Sequence, residues 1–170
     1  MLSTERLVLR QWRGEHFEDY RAVAEDPEVA RFVGGVVSGG QAWRQMAMHA
    51  GHWALRGYGN WAVTTSAGDF IGRVGFWHPH GWPGMELGWA LRRSAWGHGY
   101  ATEAAGAALG WCWQHLDPES VLSLIHPDNA ASLRVARRLG FAVDRVSNVN
   151  GEPVVVHRLE RPSRTRVTSA

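Results

Sequence analysis

The segment MELGWALRRSAWGHGYATEAAGAALGWCW, residues 85–113, carries the side chains best suited to chemistry. An apolar run reads as a strand up to Leu91, Arg92 and Arg93 follow, Gly97 and Gly99 flank His98, and an alanine-rich helical stretch begins at once. Glycine lets the backbone approach a ligand without interference from a Cβ. Successive N–H groups in such a turn point into one concavity, and the free donors of a helix start add partial positive charge. That arrangement holds phosphate, and Arg92 and Arg93 would supply full charges beside it. A dinucleotide-binding turn wants a third glycine where Thr102 stands, and a P-loop wants a lysine, which the chain lacks altogether. What remains is a pyrophosphate held by backbone amides without Mg²⁺ ligands, as suits coenzyme A.

Other residues invite a chemical reading. Strand alternation puts Glu86, Gly88 and Ala90 on one face and Leu87, Trp89 and Leu91 on the other. A lone carboxyl among apolar neighbours has a raised pKa, which suits a general base near neutrality; a structural bond to backbone or arginine is the alternative. Asp128 or Asn129 reads as a helix N-cap, with Ser132 in the first turn. His78 and His80, in the loop HPHGWPG, lack a third ligand nearby and read as surface residues, so no metal is expected. Trp82 in the same loop would wall a pocket. Cys112, between Trp111 and Trp113, reads as a packed, inert thiol.

The scaffold for these groups is one domain. The chain has 170 residues, 45% of them hydrophobic and 20% charged, which excludes both a disordered segment and a membrane protein. Its eighteen basic residues are all arginine, so Schiff-base chemistry is excluded. The net charge of +2 gives no basic face, and nucleic-acid binding is not expected. A single cysteine fits a reducing, cytoplasmic setting. Periodicity and turn residues predict a strand at 5–12, helices at 14–24, 28–32 and 41–56, and strands at 60–65, 69–77 and 85–91. Trp43, Met46, Ala47, Ala50 and Trp53 would form the buried stripe of the third helix. A helix at 99–116, a strand at 120–125, a helix at 129–139 and strands at 141–147 and 153–159 complete the series, the last pair joined by the turn Asn148-Val149-Asn150-Gly151. Residues 1–160 form the predicted domain, and 161–170 a flexible basic tail.

WGHGYATEA, from Trp96 to Ala104, resembles the acyl-CoA signature of the GNAT superfamily of N-acetyltransferases, and more narrowly the branch named after the ribosomal-protein alanine acetyltransferases RimJ and RimL. TERLVLRQW near the start is similar to that branch's first strand, and FIGRVGFW followed by MELGWAL to its central strands. HPDNAASLRVARRLGF, from His126 to Phe141, resembles its second motif. The resemblance covers about residues 3–159. It implies an α+β fold with a mixed, mostly antiparallel central sheet flanked by helices, whose central strands splay to admit the pantetheine arm. It also implies acetyl-CoA as co-substrate and direct attack by a primary amine, a protein N-terminal α-amine or a small molecule, in a ternary complex.

Carried onto this chain, the resemblance assigns coenzyme contacts to Leu91, Arg92, Arg93, Trp96, Gly97, His98, Gly99, Tyr100, Ala101, Asn129 and Ser132. It places Phe32, Trp82 and Glu86 on the acceptor side, with Glu86 as base. Ser94 stands where the wider superfamily has glutamine or arginine, and the window from Leu133 to Phe141 lacks the tyrosine that many members use as general acid. The acid is therefore open, with Ser132 one option through a water relay. Glu103 is expected to steady its helix start or bond across to another element, and Tyr100 to pack or to touch coenzyme. Arg137 and Arg138 would be a solvated helix face or approach the adenine-side phosphate. Succinyl transfer, a catalytically silent acyl-CoA-binding module and a ribosome-associated role for the arginine tail are the competing functions. A homodimer is a further expectation.

Overall fold

The computed structural model describes residues 1–149 and 151–163, so Asn150 of the predicted turn and 164–170 of the predicted tail lie outside the described residues. Eight strands form one sheet: β1 (Leu2–Ser3), β2 (Leu7–Arg10), β3 (Asn60–Thr65), β4 (Phe70–Trp77), β5 (Glu86–Leu91), β6 (Ser120–Ile125), β7 (Ala142–Val149) and β8 (Glu152–Glu160). Their spatial order is β1-β2-β3-β4-β5-β6-β8-β7. Every neighbouring pair is antiparallel except β5 and β6, which run parallel. The predicted α+β class is the observed one.

The five helices are α1 (Phe17–Ala24), α2 (Pro27–Ala30), α3 (Gly39–Arg56), α4 (Tyr100–His115) and α5 (Ala130–Arg138). Their starts follow from local chemistry. Asp26 Oδ1 accepts from the Glu28 N–H at 2.9 Å, and Pro27 occupies the first turn of α2, where a missing N–H costs nothing. Ser38 and Gln41 form a reciprocal capping box at the start of α3. That helix buries Ala42, Met46, His49 and His52; of the expected stripe Met46 is buried and Trp53 packs on the core, whereas Ala47 and Ala50 are exposed and Trp43 is 50% exposed. The buried face is rotated because the space above β3 and β4 is already filled by aromatic rings that seat imidazoles: Trp12 stacks on His49 at 5.7 Å, and Trp77 meets His52 at 4.7 Å.

Strand alternation divides the core. Leu7, Leu9, Trp61, Val63, Val74, Phe76 and Leu87 pack with Ala104, Ala105, Ala108 and Cys112 of α4, whose small side chains bring the helix close to the sheet. Ala62, Phe70 and Ala90 pack with Tyr20, Val23, Val29 and Met46 from the first three helices. Three short elements escaped the sequence pattern: β1, only two residues long, the 3₁₀ turn Gly14–His16 where the first helix was expected to begin, and the 3₁₀ turn Arg93–Ala95. Arg161 is tied to the domain by an ion pair with Asp117. Among the described residues no helix is long and apolar enough to cross a membrane.

The parallel pair interrupts the continuity of the sheet. β5 and β6 share one register pair, Glu86 with Leu122, and the Leu122 N–H donates to Met85 O at 2.8 Å. Beyond it the strands part, opening a wedge in the middle of the sheet.

Candidate active site

The turn between β5 and α4 is built by Gly97 and Gly99, with φ of 79° and 80°, a conformation that a side chain resists. A Cβ at Gly97 would stand in open space. The first N–H of this stretch to bond backwards is that of Glu103, onto Gly99 O at 3.1 Å; those from Gly97 to Thr102 have no backbone acceptor among the described residues. The stretch lines a cavity of about 500 Å³. Thr102 lines it too, and its Oγ1 is buried without a partner among the described residues. The facing wall is α5, with Asn129, Ser132, Arg134 and Arg138. Free amides, an orphaned hydroxyl and two arginines one helical turn apart fit a pyrophosphate-bearing ligand such as coenzyme A.

A latch from the N-terminus holds this turn. Arg6 reaches Glu103 Oε2 through Nε at 2.7 Å and Nη2 at 2.6 Å, and donates Nη1 to His98 O at 3.0 Å. Thr4 Oγ1 donates to Glu103 Oε1 at 2.6 Å, and the Arg6 guanidinium lies over the Tyr100 ring at 4.7 Å. Burial pushes the Glu103 carboxyl up, but these bonds outweigh it and hold the group below its ordinary value. Glu103 is thus a structural cross-link, the second of its two expected roles.

Most predicted coenzyme contacts line the first cavity: Leu91, Trp96, Gly97, Gly99, Tyr100, Ala101, Asn129 and Ser132. Three do not. Arg92 Nη1 donates to Phe70 O at 2.9 Å, and Arg93 Nε donates to Asp26 Oδ2 at 2.7 Å, because the 3₁₀ turn Arg93–Ala95 points the pair toward α2 and β4. His98 stacks on Tyr100 at 5.5 Å outside the lining. Arg134 and Arg138 are the arginines of α5 that line this cavity. Arg138 was one of the two arginines read there; Arg134 was missed, although its i, i+4 spacing to Arg138 was a usable signal. Phe32, read as an acceptor-side residue, lines this first cavity rather than the one beside Glu86, with its ring 5.2 Å from His126.

A second cavity of about 550 Å³ opens on the α1 and α3 side of the wedge. Trp89, Ala90, Asn129 and Ser132 line both cavities, so the two meet there. Trp89 Nε1 donates to Ser132 Oγ at 3.2 Å, and Asn129 Oδ1 accepts from the Ser132 N–H at 3.0 Å. Asn129 therefore caps α5 and lines the junction at once.

Glu86 and Trp82 line the second cavity, and the Trp82 indole N–H donates to Glu86 Oε2 at 2.8 Å. Although the residue keeps some surface toward the cavity, protein atoms crowd its carboxyl. Burial raises that carboxyl to about 7, against the opposing pull of the Trp82 N–H, the Arg73 charge and the Leu124 backbone N–H. That value matches a base working near neutrality. Arg73 and His49 also line this cavity and were not singled out from the sequence. Burial, then the charges of Arg73 and His52, hold the His49 imidazole well below its ordinary value, so it is neutral, and its Nδ1 has no partner among the described residues. Cys112 is buried, and burial pushes its thiol up to about 12, which leaves it protonated.

A sheet wedged open between parallel strands, with an amide cradle on one side and a raised carboxyl on the other, is an arrangement fit for acyl transfer from a pyrophosphate-bearing coenzyme. The comparison with known proteins makes the class definite: a family model for an acetyltransferase (GNAT) domain matches residues 6–142, and the chain belongs to that family of N-acetyltransferases. YkkB of Bacillus subtilis, an uncharacterised protein, is 28% identical over 92% of this chain and 93% of its own. An acetyltransferase from Agrobacterium tumefaciens is 32% identical and superposes with a TM-score of 0.86 over 94% of this chain and 93% of that one. RimL, a ribosomal-protein α-N-acetyltransferase solved with coenzyme A, shares the fold at 18% identity and a TM-score of 0.77, over 92% and 95% of the two chains.

Proposed function

We propose that the protein transfers the acetyl group of acetyl-CoA to a primary amine by direct attack in a ternary complex, with Glu86 as the base. One observation carries the reading: the amide cradle and the Glu86 cavity meet at Trp89 and Ser132, where β5 and β6 part. The amides from Gly97 to Thr102, Arg134 and Arg138 would hold the pyrophosphate and its neighbours, and acetyl-CoA supplies an activated thioester carbonyl. Glu86 takes the proton of the incoming ammonium, so that the attacking nitrogen is neutral at a pH where a free α-amine, with a pKa near 7.7–8.0, is still largely protonated. Trp82 fixes the carboxyl through Oε2 and leaves Oε1 for that proton. Ser132 accepts from Trp89 and keeps its own O–H to donate at the junction. A strong acid is not required there, because a thiol has a pKa near 8.5.

The motifs WGHGYATEA and HPDNAASLRVARRLGF favour the RimJ/RimL-like branch, and a cytoplasmic homodimer belongs to the same proposal. The test is thiol release from acetyl-CoA across a panel of amines, amino acids and N-terminal peptides. Amine-dependent release supports the reading. Tight coenzyme binding with no release for any amine would favour the silent acyl-CoA-binding module instead.

A further inference from the structure

The second cavity contains a cation that the transfer reaction does not use. Arg73 sits on β4 in register with Ala90 of β5, on the face that also carries Glu86 and Gly88. Its guanidinium is held by neutral groups: Nη1 donates to Asn60 Oδ1 at 3.0 Å, and the Tyr20 hydroxyl lies beside it while donating to Gln45 Oε1 at 3.1 Å. Asn60 is fully buried and anchored in turn by a bond from Nδ2 to Phe76 O at 3.3 Å. Glu86 and Glu152 are the acids lining this cavity, and among the described residues Arg73 forms an ion pair with neither. A half-buried guanidinium, oriented by neutral acceptors and with no carboxylate against it, lacks its natural partner.

The spacing says what that partner is. A Cβ built on Gly88 would lie 3.9 Å from Glu86 Oε1 and 4.0 Å from Arg73 Nη1, with nothing nearer. The base and the cation thus flank one empty point, and the two atoms are within about 8 Å of each other by way of it. In an α-amino acid the nitrogen and the carboxylate oxygens are about 3 Å apart. With a hydrogen bond of about 2.8 Å at each end, a bent bridge would set the Cα about 4 Å from both groups, near that empty point. We propose that Arg73 is an anion subsite and that the acceptor is a free α-amino acid, its amine at Glu86 and its carboxylate at Arg73. A peptide N-terminus lacks that carboxylate, and a polyamine would set a second cation against Arg73. Gly88 is then the residue whose missing side chain leaves room for the substrate's Cα.

This rests on the acetyl-transfer reading, and the test separates the two. Initial rates of thiol release are measured with acetyl-CoA against α-amino acids, their α-amides, the matching decarboxylated amines and spermidine. In parallel, calorimetry follows amino-acid binding to the protein saturated with CoA. The wild type should prefer the acid over its amide about 10–100-fold in kcat/KM, the value of one charge-assisted contact. Arg73→Met should bring the acid down to the level of the amide, with the Kd for CoA unchanged. Gly88→Ala, whose added methyl meets no atom closer than 3.9 Å, should raise the amino-acid KM at least fivefold and serves if Arg73→Met fails to fold. Amino-acid binding that depends on Arg73, without turnover of any amine, would keep the subsite and remove the transfer reading. Turnover of amides and decarboxylated amines as fast as of the acids would keep transfer and overturn the subsite. Neither binding nor turnover of any α-amino acid would overturn it as well.

Discussion

The indole N–H of Trp89 bonds to Ser132 Oγ at 3.2 Å across the point where the two cavities meet. This contact joins β5 to α5 just where β5 and β6 share no backbone pairing. Ser132→Ala leaves the indole without its acceptor, at a cost of about 1–3 kcal/mol. The expected result, from coenzyme titration and steady-state kinetics, is a Kd for CoA about three- to tenfold weaker with a smaller change in turnover. A large loss of turnover at unchanged affinity would make Ser132 the acid instead.

The cradle predicts two contrasts. Gly97→Val places a branched side chain in the space left for the ligand, at a backbone angle it tolerates poorly. CoA affinity should fall at least tenfold, about 1.4 kcal/mol. Arg134→Gln and Arg138→Gln should each weaken CoA with a dependence on salt, while Arg93→Gln, which breaks only a contact to Asp26, should not. Equal effects from all three arginines would return Arg93 to the site.

Glu103 ties the N-terminal strands to α4, and its carboxyl is held below its ordinary value of 4.5. The native state therefore favours the ionised form. Its stabilisation is complete above pH 4.5 and is lost as the pH falls through the lower, folded value. Glu103→Gln should lower Tm by about 4–8 °C at pH 7, corresponding to about 2 kcal/mol. The gap from the wild type should close in acid, as thermal melts in a buffer series would show.

How far the sequence carried depended on how local each cause is. The path from Leu91 through two glycines to a helix was legible because positive φ angles and helix starts leave marks within a few residues. Glu86 was legible as an acid inside an apolar strand. Arg92 and Arg93 were not: their partners are the carbonyl of Phe70 and the carboxyl of Asp26, the latter 67 positions away. The histidine face of α3 was hidden for the same reason, since Trp12, Tyr20 and Trp77 converge on it from three other segments. Arg73 carried a faint signal, a charge in the otherwise apolar strand FIGRVGFW, but only the register with β5, which pairs it with Ala90, sets it on the same face as Glu86.

The raised Glu86 carboxyl has a consequence for stability opposite in sign to that of Glu103. Its pKa near 7, against an ordinary 4.5, means that the native state binds the proton more tightly than the unfolded chain. Stability therefore falls as pH rises from 4.5 toward 7, and the cost is complete above that window. Glu86→Gln should stabilise the protein at pH 8 relative to the wild type, by on the order of 3 kcal/mol and read as a higher Tm, and much less at pH 5. A variant less stable than the wild type at pH 8 would identify Glu86 as a structural carboxylate.

Whether Glu86 takes the acceptor's proton is read from initial rates of thiol release, with saturating acetyl-CoA and an accepted amine, for the wild type and Glu86→Gln between about pH 6 and about pH 9. The wild-type rate should climb through pH 7 to a plateau, following the carboxyl. Glu86→Gln should be slower at pH 7 by about 10²–10⁴, with an unchanged Kd for CoA and a deficit that shrinks as the amine loses its own proton. Full turnover by Glu86→Gln at pH 7, on the wild-type pH profile, would contradict the assignment.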